Sequence, residues 1–194
     1  MSIWSVYRVG IQQPRYDLLK QALEAVAARL GGTLKMQALV RGVRYPFAVH
    51  VEKWGISYAV TASGGSVVVA ADDYKVPVDV SKFSEMLVEE YTRLAVEEAA
   101  RAAGMRVESQ RLPEGYVIRA IGARGAMDVA VNGNTVEVVG DDYEGDECIR
   151  DAEAIEKGAM ATGLMLKVLE KRSLAHGLTP LGLSVKRVVS SPCG

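Results

Sequence analysis

Cysteine and histidine are scarce, with two of each in 194 residues. Cys148, Cys193, His50 and His176 share no ligand spacing, so the chain offers no four-ligand zinc set. Two cysteines allow at most one bridge, and nothing places them together. That excludes a disulfide-built scaffold and makes a reducing cytoplasm the expected home. A surplus of one charge is missing too: 23 basic against 24 acidic residues leave a formal −1. No global field draws in phosphate backbones or anionic lipid. No run approaches the roughly 18 apolar residues that span a bilayer, and the opening MSIWSVYRVG lacks a basic stretch followed by an apolar one, so no secretory signal is expected. No serine sits in a nucleophile elbow, and the glycine pairs at 31 and 64 match neither a phosphate loop nor a dinucleotide fingerprint. Nucleotide-driven and hydride-transfer chemistry are therefore not expected, nor is a cofactor. With two phenylalanines and two tryptophans, the core falls to aliphatic residues and tyrosine.

What is present is regular periodicity. Ile3, Val6, Val9 and Ile11 suggest an opening strand. Leu19, Ala22, Leu23, Val26 and Leu30 then recur at helical spacing up to the stop at Gly31 and Gly32. Two-residue alternation follows in four pieces, 34–40, 47–53, 56–61 and 67–71, with connections short enough for an antiparallel meander. Asp79 or Ser81 can cap a second helix, whose stripe Phe83, Leu87, Tyr91, Leu94 and Ala95 runs on to Gly104. A hairpin over 107–121, a glycine-rich hinge at 122–125 and a second hairpin over 127–139, turning at Asn132, Gly133 and Asn134, come next. A helix over 147–175, in which Gly158 and Gly163 either weaken the helix or allow close approach of a neighbour, and a strand over 183–189 complete the reading. The fold class is α+β: an antiparallel sheet with helices on one face, in the order strand, helix, four strands, helix, as in helix-grip or TATA-binding-protein-like sheets, followed by a hairpin-helix unit. The expected domains are 1–122 and 126–194. The passages SVVVAADDY from Ser66 and TVEVVGDDY from Thr135 echo each other, a thin basis for an internal duplication.

This order carries a resemblance. The residues Asp17 to Leu23, Val40 to Gly42, Trp54 to Tyr58, Val68 to Asp72, Glu90 to Thr92, Gly104 and Gly115 to Arg119 resemble the uncharacterised plastid and cyanobacterial reading-frame family thirty-five, also called domain of unknown function twelve fifty-seven. Asn132, Gly133, Val136 to Gly140, Gly145 and Cys148, with the helix face Ala152, Ile155 and Ala159, are similar to domain of unknown function twenty-nine ninety-seven. The resemblance implies an accessory or adaptor role, with a ring-forming ATPase as partner. Neither family brings an established reaction.

The densest chemistry lies at Asp141, Asp142, Glu144, Asp146 and Glu147. These acids lack calcium-loop spacing and suit the positive end of the following helix, so no metal is expected. Cys148 falls in that helix's first turn, where a thiolate is favoured, although the acids oppose a further negative charge; a small buried apolar side chain is the plainer reading. Cys193, next to the terminal glycine, could carry sulfur or form a mixed disulfide. Asp72 and Asp73 could act as an acid–base pair or stand as a solvated strand end. His50 should face away from Val49 and Val51, and His176 suits a helix end. Arg41, Arg44 and Tyr45, with Lys35 and Lys53, form either a charged sheet edge or a patch for single-stranded RNA or an acidic partner. The leading expectation is a non-enzymatic adaptor that contacts a protein partner through Asp141, Asp142, Glu144, Asp146, Arg41 and Arg44. The alternatives are a thiol redox or sulfur-handling protein using Cys148 or Cys193, and an RNA-binding module.

Overall fold

The computed structural model describes residues 3–133, 135–141, 147–164, 166–170 and 183–189. The described elements are β1 (Trp4–Gln12), α1 (Tyr16–Leu30), β2 (Thr33–Val40), β3 (Val43–Val51), β4 (Ile56–Thr61), β5 (Ser66–Asp72), α2 (Val80–Ala102), β6 (Arg106–Leu112), β7 (Gly115–Ile121), β8 (Ala126–Asn132), β9 (Thr135–Asp141), α3 (Glu147–Met160), β10 (Leu166–Glu170) and β11 (Leu183–Val189). The class is α+β, and the opening order of strand, helix, four strands, helix is the one the periodicity predicts. The chain divides into two compact units, Met1–Tyr91 and Thr92–Gly194, so the division falls inside α2. The expected join at 122–126 lies instead between β7 and β8, which pair in register from Tyr116↔Val131 to Ile121↔Ala126. That ladder holds the hairpin β6–β7 in one sheet with β8 and β9.

The first unit is a five-stranded antiparallel sheet in the order β1-β5-β4-β3-β2. Alternation puts Phe47, Val49 and Val51 of β3, Tyr58 and Val60 of β4, and Val67 and Val69 of β5 on one buried face. Burying each such side chain contributes about 1.5–3 kcal/mol. The helices cover this face: Tyr16 of α1 lies 4.9 Å from the Phe47 ring, and Phe83 of α2 stacks on Tyr58 at 4.2 Å. The Tyr58 hydroxyl donates to the Val78 carbonyl at 2.5 Å. Burial and the nearby Asp73 and Asp79 charges push this phenol well above its ordinary pKa. No side chain caps α1; the Arg15 N–H donates to the Tyr91 hydroxyl at 3.0 Å, and Gly31 closes the far end in the left-handed conformation. Arg29 of α1 reaches Glu89 and Glu90 of α2 through Nη1, at 2.9 and 3.1 Å. Glu90 is fully buried, where a carboxylate is costly unless paired. At the start of α2, Asp79 accepts the Lys82 N–H at 2.7 Å, which makes it the cap.

In the second unit the sheet order is β10-β11-β9-β8-β7-β6. The run β6 to β9 is an antiparallel meander, but β11 joins β9 in parallel, from Ser184↔Thr135 to Val189↔Gly140, and β10 joins β11 in parallel. The strand over 183–189 was legible in the sequence; its parallel pairing was not. The helix expected over 147–175 stops at Met160. Gly163 takes φ 97°, a value glycine tolerates and other residues rarely adopt, and the chain continues as β10. On α3, Gly158 approaches α2 so closely that a Cβ there would lie 2.6 Å from the Ala99 Cβ.

One order of elements occurs twice. The helix α1 leads into the meander β2 to β5 and then α2; α2 leads into the meander β6 to β9 and then α3. The echoing passages occupy matching places, since β5 and β9 are the fourth strands of their meanders. Among the described residues, no helix is long and apolar enough to cross a membrane.

Candidate functional site

A groove of about 350 Å3 opens in the first unit, lined by Trp4, Arg41, Trp54, Ser57, Asp72 and Tyr74 together with Val40, Gly55, Ile56 and Val76. Cross-strand pairing sets much of it. Trp4 is opposite Asp72, and His50 is opposite Ser57 and Thr33. Continuing the β4–β5 register from Ala59↔Ala70 brings Ser57 level with Asp72. A polar row thus crosses the sheet on the face away from the helices, as the alternation around His50 predicts. The tight β2–β3 turn contributes Arg41, itself left-handed at φ 52°. Behind it, Gln37 at φ 49° stands opposite Pro46, and the ladder skips that pair because proline has no N–H to give. Trp54 ends a 3-10 turn, Glu52–Trp54, that joins β3 to β4.

Each ring of the groove carries a cation over its face. Arg41 Cζ lies 5.2 Å from the Trp4 ring centre, Lys53 Nζ 4.7 Å from that of Trp54, and Lys75 Nζ 5.1 Å from that of Tyr74. Trp4 and Trp54 are half-buried and Tyr74 is exposed. Exposed pairs of this kind contribute about 0.5–1 kcal/mol each. They also set a positive charge against each ring.

The acids beside the groove are engaged by the fold. Asp72 Oδ1 accepts the Ile3 N–H at 3.0 Å, while Asp73 accepts the Ser5 hydroxyl at 2.6 Å and the Val80 N–H at 3.0 Å. Asp73 thereby meets the positive first turn of α2, and both acids are tied to the backbone at the end of the strand. His50 Nδ1 lies 2.9 Å from Ser57 Oγ, the distance of a nucleophile–base pair. In a triad the imidazole stands between serine and carboxylate; here Asp72 is on the far side of Ser57.

The expected site residues separate. Arg41 lies in the groove and Lys53 beside it, whereas Arg44 and Lys35 are exposed on the edge hairpin. Asp141 ends β9; Asp142, Glu144, Asp146, Cys193 and His176 lie outside the described residues. Cys148 falls in the first turn of α3, as the thiol reading requires. Glu147, in the same turn, faces Arg124 at 3.8 Å. Among the described residues, no three His, Cys, Asp or Glu side chains form a metal-holding group. Sequence reasoning missed Trp4, Trp54, Ser57 and Tyr74. The dipeptides Lys53-Trp54 and Tyr74-Lys75 were a readable signal, while the contact of Trp4 with Arg41 depends on the bent hairpin.

Two other clusters in the second unit are structural. Glu97 accepts Arg93 at 2.8 Å, Ser109 at 2.7 Å and Arg101 at 3.2 Å. Burial works to raise its pKa, but the Ser109 and Arg93 hydrogen bonds and the two arginine charges outweigh burial and hold it below the ordinary range. Between α2, β8, β9 and α3 lies an apolar crevice of about 20 Å3, lined by Val96, Val129, Val138, Ile155 and Ala159 among others. It has room for about one water. No protein-family model matches the chain, and no curated protein does.

Proposed function

We propose that this chain is a non-catalytic binding module that holds an anionic partner in the groove of its first unit. The observation that supports this reading is the convergence of Trp4, Trp54 and Tyr74 on one groove, each with a cation over one face. Arg41, Lys53 and Lys75 stand beside the acids Glu52, Asp72 and Asp73, and Asp72 and Asp73 are already engaged by backbone N–H groups. The adaptor role implied by the two family resemblances is of the same kind, recruitment without chemistry. A ring-forming ATPase with an acidic segment would be one such partner.

Both tryptophans of the chain line the groove, so intrinsic emission reports its occupation directly. Titration at low salt with polyglutamate and with a single-stranded oligonucleotide should shift or quench that emission for at least one of them. Arg41→Ala, an exposed turn substitution, should weaken the binding about fivefold. Emission unchanged by either polyanion would sink the reading.

A further inference from the structure

We infer that the anionic partner is single-stranded nucleic acid, with a base stacked on the rings of the groove and its phosphates beside Arg41, Lys53 and Lys75. This deepens the binding reading above and rests on it. An acidic peptide needs cations alone and makes no use of three rings in one groove. A single strand combines flat bases with negative phosphates, and this groove combines three flat rings with three cations. Tyr74 is exposed and Trp4 and Trp54 are half-buried, and stacking of a base on an aromatic side chain is worth about 1–3 kcal/mol. The hydroxyl of Ser57, held by His50 at 2.9 Å, adds a polar group that can meet a base edge. At about 350 Å3 the groove sits at the small end of ligand sites. It suits an unpaired nucleotide; in a duplex the base faces are covered by their neighbours and reach no ring.

The test uses the full chain and a dye-labelled ten-nucleotide oligouridylate, read by fluorescence anisotropy, with unlabelled polyphosphate and polyglutamate as competitors. Polyphosphate matches the charge and lacks bases. The oligonucleotide should bind at least tenfold tighter than polyphosphate per charge. Its affinity should fall with salt at a slope of about −2 on logarithmic axes, as three phosphate contacts on a single strand predict. Trp54→Ala should lower affinity about tenfold, and Trp54→Phe, which keeps a stacking face, should restore most of it. Lys53 and Lys75 are exposed, so the double variant Lys53→Glu, Lys75→Glu should fold normally and lose binding more than tenfold. An oligonucleotide that binds no tighter than polyphosphate, or binding indifferent to the double variant, overturns the inference. If polyglutamate or polyphosphate shifts tryptophan emission and the oligonucleotide does not, stacking is wrong and the binding module stands. If no polyanion shifts it, both readings fall.

Discussion

Glu97 illustrates how a single carboxylate can tie an element to its neighbours. Its partners Arg93 and Arg101 lie one turn to either side on α2, and Ser109 stands on β6. Because its pKa is lower folded than its ordinary 4.5, the stability it adds is present above that value and lost as pH falls through the folded one. Glu97→Gln keeps the shape and loses the charge. Near neutrality it should cost about 1–2 kcal/mol in urea unfolding, a charge-assisted hydrogen-bond magnitude. The gap from the unsubstituted protein should close as the pH drops below the ordinary glutamate range; a gap that stayed constant would show the charge to be idle.

At the scale of elements, α3 pits two glycine effects against each other. Replacing a helical glycine with alanine ordinarily stabilises by about 1 kcal/mol. At Gly158 the new methyl would meet Ala99 Cβ at 2.6 Å, and overpacking costs about 1–3 kcal/mol. Overpacking wins, so Gly158→Ala should lower the thermal midpoint, and Ala99→Gly in the same chain should recover part of it. The sequence announced Gly158 as either a weak point or a close approach, and the structure makes it the latter. Most strands and both longer helices were legible because alternation and the three-four spacing follow directly from burial on one face. The parallel seat of β11 and the Trp4–Arg41 contact were not, since each depends on residues far apart in the chain. The groove was half visible: Arg41 and Lys53 were read as a basic patch, but strand geometry leaves Lys35 and Arg44 on the outer hairpin.

For the molecule as a whole, α2 is the element both units share, with Phe83, Leu87 and Tyr91 buried in the first and Val96, Ala99 and Ala100 in the second. The repeated order around it gives the fourth strand of each meander an added neighbour from a chain end: β1 beside β5, and β11 beside β9. A proline at Thr92 would remove the N–H that bonds to Val88 and crowd its carbonyl, at about 3 kcal/mol or more. Both tryptophans report on the first unit. Thr92→Pro should therefore lower the denaturant midpoint of tryptophan emission although the substitution sits in the second unit; an unmoved midpoint would show that the two halves of the helix serve their units separately.

The left-handed Gln37 opposite Pro46 also bears on what the free rim of the first sheet attracts. The outer strand β2 carries exposed Met36 and Leu39, an invitation to cross-β growth between molecules. A backbone twisted out of line halfway along offers an incoming strand only short stretches of regular partners. Straightening it, for instance by Pro46→Val with Gln37→Thr, should turn this edge hairpin into a seed for fibrils.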